Sequence, residues 1–216
     1  MKKLVFLLLA TFSISVVAQD QLTEGVMSSK MTMSSSNEEM KAQFEMIGDI
    51  AITTYFKDDK TRSETNNPMS GESVSIIDTE AKQMLTLMNN PMLGKKYTLT
   101  DIEDSPDTSG INVSKGDETK TILGYECQEY NVEMTQEGVT MTMDIYTTED
   151  IVAANQQTVE FGEDFKGFPL LMTINVNQGG MDMSMTYEVT EVKKETVADE
   201  KFSMTPPEGY EKMEGM

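Results

Sequence analysis

Histidine and tryptophan are absent from this 216-residue sequence, and cysteine occurs once. Without histidine, a Ser-His-Asp triad and most zinc sites are excluded. Without tryptophan, the chain lacks the large aromatic face on which sugar clefts commonly stack their ligand. The single thiol, Cys127, closes no internal disulfide, so packing alone must hold the fold together. It lies in Tyr125-Glu126-Cys127-Gln128-Glu129-Tyr130, which reads as a strand, and there a free cysteine behaves as a small buried hydrophobe. Basic residues are also few. Seventeen Lys and Arg stand against 37 Asp and Glu, a net charge of −20. Such a surface repels nucleic acid and anionic membranes, so no nucleic-acid partner is expected.

Long apolar runs are scarce as well, and the clearest opens the chain. Lys2 and Lys3 precede an apolar stretch from Leu4 to Val17, and Val16-Val17-Ala18 supplies a cleavage site before Gln19. Residues 1–18 are therefore expected to be a cleavable signal peptide, with residues 19–216 a single β-rich domain. An apolar stretch of this length falls short of the roughly 20 residues a membrane-spanning helix needs. No transmembrane segment is expected after cleavage. Cys127 lies far from the cleavage site, so the expected destination is periplasmic or secreted, not lipid-anchored.

Motifs for chemistry are missing in the same way. No G-x-S-x-G occurs, and Gly179-Gly180 is a turn rather than a phosphate loop because no helix pattern follows it. Asp101-Ile102-Glu103-Asp104 does not match a calcium-loop pattern. The acid pairs Glu149-Asp150, Glu160 with Glu163 and Asp164, and Asp101 with Glu103 read as solvated surface in so acidic a chain. The expectation is a protein that is not an enzyme, with no catalytic residues, no cofactor and no metal.

What the sequence does contain is a period of two, the signature of strands with one buried face. Val139, Met141, Met143 and Ile145 form one such stripe, Leu170, Met172, Ile174 and Val176 a second, and Met181, Met183, Met185, Tyr187 and Val189 a third. Thr135-Gln136-Glu137-Gly138 and Gln178-Gly179-Gly180 fit hairpin connections. Further strands are expected at 25–33, 49–56, 61–65, 73–78, 83–88 and 95–100, spaced as in a meander. A short helix is expected at 37–47, where Ser36-Asn37-Glu38-Glu39 supplies a capping start. A second is expected near 149–154, and a mobile acidic loop at about 101–116. The fold class is mainly β: a single antiparallel curved sheet or half-open barrel with one or two short helices on its concave side.

Three short segments carry a resemblance: Thr121-Ile122-Leu123-Gly124-Tyr125-Glu126-Cys127, Lys166-Gly167-Phe168-Pro169-Leu170, and Phe202-Ser203-Met204-Thr205-Pro206-Pro207-Glu208-Gly209-Tyr210. Together they resemble an exported bacterial family, domain of unknown function 4412. The tail from Phe202 to Gly209 and the pair Val74–Asp78 and Met84–Leu87 are more distantly similar to the lipoprotein carriers LolA and LolB. That likeness implies an incomplete, LolA-like β-barrel whose helices plug a cavity for acyl chains. It carries over no site residue.

Twenty methionines, gathered in stripes, are the remaining feature. They fill a core, or they line an adaptable groove for acyl chains, since methionine is unbranched and polarizable. Both readings share one geometry, and sequence alone does not separate them. A third reading, Cu(I) bound by thioethers, would need sulfurs from two neighbouring strands. The groove reading assigns Met141, Met143, Met172, Ile174, Met181, Met183 and Met185 to a tentative apolar ligand site. The expected function is an exported, non-enzymatic binding protein holding a hydrophobic, lipid-like ligand. The alternative is a structural or protein-interaction module of the cell envelope.

Overall fold

The computed structural model describes residues 21–67, 70–103, 108–136, 139–178 and 181–213, so the expected signal peptide lies outside the described residues. The strands are β1 (Glu24–Ser34), β2 (Ile50–Lys57), β3 (Lys60–Asn67), β4 (Gly71–Asp78), β5 (Gln83–Asn90) and β6 (Gly94–Asp101). They continue as β7 (Ile111–Ile122), β8 (Tyr125–Gln136), β9 (Val139–Thr148), β10 (Phe168–Gln178), β11 (Met181–Lys193) and the two-residue β12 (Glu211–Lys212). All twelve belong to one unclosed, curved sheet in the order β12-β6-β5-β4-β3-β2-β1-β11-β10-β9-β8-β7. The topology is two antiparallel meanders, β2–β6 and β7–β11, joined where β1 pairs with both β2 and β11. Only β12 runs parallel to its neighbour, β6.

The α1 helix (Glu38–Ile47) starts where its cap predicts, with the Asn37 side chain accepting from the Glu39 and Met40 amides. It buries no side chain fully. The second helix, α2 (Gln156–Phe161), comes later than the expected 149–154 and runs into a 3-10 turn at Gly162–Asp164. Residues 149–154 instead form a bend followed by a single bridge residue, Ile151. The Leu22 amide donates to the Asp150 carbonyl at 2.7 Å, and the Val152 amide donates to the Leu22 carbonyl at 2.9 Å. Those backbone groups are committed to a parallel bridge between Leu22 and Ile151 and are unavailable to a helix.

The acidic loop also proves shorter than 101–116. Asp101 ends β6, and Ile111 to Gly116 begin β7, with Ile111 opposite Met134 and Val113 opposite Val132. Residues 104–107 lie outside the described residues. Two half-buried apolar residues alternating with exposed polar ones seat this segment against β8, and charge on its other face does not prevent it.

Residues directly opposite in an antiparallel ladder share a face, so the registers can be read as rows across the sheet. One face carries Ile145, Met172 and Tyr187 and packs against Phe161 and Phe165 from the α2 segment. The reverse face of β4–β6 carries Ile76, Leu85 and Leu87 beneath Met204 and Tyr210 of the C-terminal tail. A third cluster, with Met27, Phe56, Leu170 and Val189, holds the seam where the meanders meet.

Candidate functional site

The face under α2 is divided by chemistry. Across β7–β11 and β1 its rows are apolar. Met141 pairs with Val176, and Val176 with Met183; Met143 pairs with Ile174, Ile174 with Met185, and Met185 with Met33. Across β2–β6 the same face carries hydroxyls. Thr54 pairs with Ser63, Ser63 with Ser75, Ser75 with Thr86, and Thr86 with Thr98. The Thr54 and Ser63 hydroxyls lie 3.0 Å apart in a hydrogen bond.

The expected ligand residues therefore share one face, but they differ in exposure. Met143 and Met172 are each only 7% exposed and belong to the cluster covered by Phe161 and Phe165. Ile174 packs at that cluster's margin. Met141, Met183 and Met185 are half-buried. Met181 pairs with Gln178 at the β10–β11 hairpin, and its side chain lies outside the described residues.

Two grooves flank the segment 152–157 that leads into α2. The first, about 470 Å³, has apolar walls from Val152, Val159 and Phe165 and a charged mouth containing Asp58, Asp59, Lys82 and Glu103. The second, about 210 Å³, is lined by Met31, Phe168, Met172 and Tyr187 on one side and, on the other, by Thr54, Thr61, Ser63, Thr65 and Ser75 together with Ile52 and Ile77. Ala154 to Gln157 form its roof. Phe168 and Ser75 belong to β10 and β4, five places apart in the sheet order. At about 4.8 Å per strand, a flat sheet would hold them roughly 24 Å apart. Their meeting in one small groove is the local measure of the sheet's curl.

The segment that roofs both grooves is fastened at its two ends. Its start is bonded to Leu22, as described above. At the far end the Asn155 amide donates to the Gly167 carbonyl at 3.4 Å, and the Thr147 hydroxyl donates to the Lys166 carbonyl at 2.7 Å. Gly167 is required here: its φ is +85°, and a Cβ would stand 2.8 Å from the Thr148 carbonyl oxygen.

Tyr187 lines the second groove, and Ser29 lies behind it on the same face, opposite Ile52. Burial pushes the Tyr187 pKa up, and a side-chain hydrogen bond with Ser29 acts in the opposite direction. Ser29 is 4% exposed. No Asp, Glu, Lys or Arg lines this groove.

Of the acid pairs of the sequence, Glu103 stands at the mouth of the first groove. Glu149 and Asp150 line a separate surface hollow, and Glu160 is exposed and accepts from Gln156 at 2.6 Å. Among the described residues no group of three His, Cys, Asp or Glu is placed to hold a metal ion. Sequence reasoning found the methionines and missed the hydroxyl wall. A lone Thr or Ser in an alternating strand reads as solvent-facing, and only the registers of β2–β6 reveal the row.

No family model matches the chain, so the resemblance to domain of unknown function 4412 finds no support there. No curated protein matches its sequence. Among solved structures, one crystal form of PNGF-II superposes on 88% of this chain and 31% of its own, at 15% identity and a TM-score of 0.50. A second crystal form of PNGF-II covers 87% and 31%, at 16% identity and a TM-score of 0.46. The Mycobacterium tuberculosis lipoprotein LppX covers 80% of this chain and 90% of its own, at 6% identity and a TM-score of 0.30. The chain thus spans about a third of the length of PNGF-II. At 15% identity the similarity to PNGF-II is one of fold, and the LppX superposition is too loose to bear on function.

Proposed function

We propose that this chain is an exported, non-enzymatic binding protein whose ligand is an apolar, lipid-like molecule laid along the α2 face of the sheet. The observation that carries this reading is the continuity of the second groove with methionine rows. Met31, Tyr187 and Met172 stand in the groove, and the next row along the strands is Met33, Met185 and Ile174. Beyond it come Met183, Val176 and Met141, still half-buried. From the groove to that outer row the distance is four residues, about 13 Å of apolar track. Methionine suits such a track because its thioether and free rotamers adapt to a flexible chain. The leader expected at residues 1–18 supports a ligand met outside the cytoplasm.

The reading is tested by native mass spectrometry of the protein purified gently from its producing cells. The expected spectrum contains a lipid adduct that is lost in the Met33→Asp, Met185→Asp double variant. A clean apo mass, under conditions that keep lipid on a known carrier, would count decisively against it. One observation favours the structural-module reading: Met143 and Met172 are filled in beneath Phe161 and Phe165 as ordinary core. An apo mass together with a marked loss of stability in the Met33→Asp, Met185→Asp variant would select that reading.

A further inference from the structure

We infer that the polar end of the ligand is an uncharged, hydroxyl-bearing group, seated in the second groove between the hydroxyl wall of β2–β4 and the Met31–Tyr187–Met172 row. The inference rests on the binding function proposed above and specifies its ligand class.

Charge supplies the first part of the case. One residue in four of the chain is Asp, Glu, Lys or Arg, yet none of them lines this groove. A carboxylate or phosphate placed there would be withdrawn from water with no cation to pair with. The field of a chain carrying −20 would oppose it further. A cationic head fares no better locally, because no carboxylate faces the groove to receive it. The neighbouring groove differs, having Asp58, Asp59, Lys82 and Glu103 at its mouth.

Hydrogen bonding supplies the second. Each Ser or Thr hydroxyl offers one donor and two acceptor lone pairs, which matches the capacity of a ligand hydroxyl. Thr54, Ser63 and Ser75 stand side by side on three successive strands, so such a group meets several partners at strand spacing. The Thr54–Ser63 bond uses only part of that capacity.

Ser29 extends the row of hydroxyls. It is opposite Ile52, which lines the groove, and so shares the groove's face. Its buried hydroxyl is hydrogen-bonded to the Tyr187 phenol, which itself lines the groove and offers a ligand hydroxyl a further partner. The volume, about 210 Å³, suits a small head such as a glycerol group. The tail would leave over Met33 and Met185.

Two probes with the same tail separate the alternatives: 1-monooleoylglycerol and oleic acid, titrated below their aggregation thresholds into delipidated full-length protein at pH 8, followed by calorimetry. Monooleoylglycerol is expected to bind at least about tenfold more tightly, because the oleate carboxylate must be buried unpaired. In the Ser63→Val, Ser75→Val double variant monooleoylglycerol should bind at least about fivefold more weakly, with hydroxyl pairing removed from the wall. Thr65→Val, at the rim, gives the same reading if the double variant does not fold by circular dichroism. Oleate binding as tightly as monooleoylglycerol overturns the inference and leaves the binding function standing. Binding of neither overturns both. Monooleoylglycerol affinity unchanged in the valine variants places the head elsewhere and overturns the assignment to this groove.

Discussion

Cys127 is fully buried in β8, its thiol donating to the Tyr125 carbonyl at 3.7 Å. Burial pushes its pKa up to about 11 from 9.0, and Asp150 and Glu126 add to the shift. Only the thiolate reacts readily, so the native protein is expected to resist a thiol reagent such as dithiobisnitrobenzoate at pH 8 and to react fully in denaturant. Prompt stoichiometric labelling of the folded protein would refute this. Tyr146 is raised for a related reason, to about 12: it is buried and donates to Glu118 at 3.1 Å and to Glu129 at 3.4 Å. Both groups hold their protons more tightly folded than unfolded. Their contribution is therefore complete below pH 9 and is lost as pH rises through 11 and 12. The urea midpoint should fall across that window, and Cys127→Ala should flatten its lower half. At this same scale two of the three segments behind the family resemblance have physical reasons. Leu123 and Gly124, with φ of 52° and 89°, make the tight β7–β8 turn. Gly167 permits the close approach to Thr148. These are backbone requirements, and they point to no site.

Strands with one clearly apolar stripe were readable because burial imposes the period of two directly. The β9, β10 and β11 strands extend only slightly beyond their expected bounds, and α1 begins at the expected cap. What failed were elements whose structure depends on a distant partner. Residues 149–154 follow Leu22 into a bridge, and α2 is six residues long, too short for a helical period to show. Yet α2 is what covers the sheet. Phe161 and Phe165 meet edge-on at 5.5 Å between ring centres, and Phe165 lies 5.1 Å from Tyr130. Phe165→Ala is expected to cost about 3–5 kcal/mol, since it empties a site enclosed by Tyr130, Met143 and Met172. Hydrogen exchange should quicken at 156–165 as well. By contrast, Asn37→Ala should cost about 1 kcal/mol and quicken exchange in α1 alone, because that helix has no buried residue to transmit the loss. Equal costs for the two variants would contradict this division between a covering helix and a peripheral one.

At the scale of the whole molecule, the open sheet needs both faces of its first meander attended to, and the C-terminal tail serves the reverse face. Phe202 is buried, Met204 and Tyr210 pack onto Ile76, Leu85 and Leu87, and β12 then pairs with β6 at the edge. Ion pairs accompany these contacts: Lys57 with Asp199 at 2.6 Å, and Lys96 with Glu211 at 2.6 Å. Their acidic partners are 82% and 76% exposed, so screening leaves each pair worth little. The apolar contacts must therefore dominate. Phe202→Ala should cost about 3–5 kcal/mol, while half-molar salt should move the melting temperature hardly at all through these pairs. Deleting residues 199–216 goes further, baring Ile76, Leu85 and Leu87 and unpairing the β6 edge together. An exposed apolar strand face beside a free edge recruits other chains, so the truncated protein should bind anilinonaphthalene sulfonate strongly and form concentration-dependent aggregates. The lipid track lies on the opposite face, so Phe202→Ala should keep its ligand adduct even as its melting temperature falls. Loss of ligand at unchanged stability would mean that the tail belongs to the binding site, and the division of labour between the two faces would have to be abandoned.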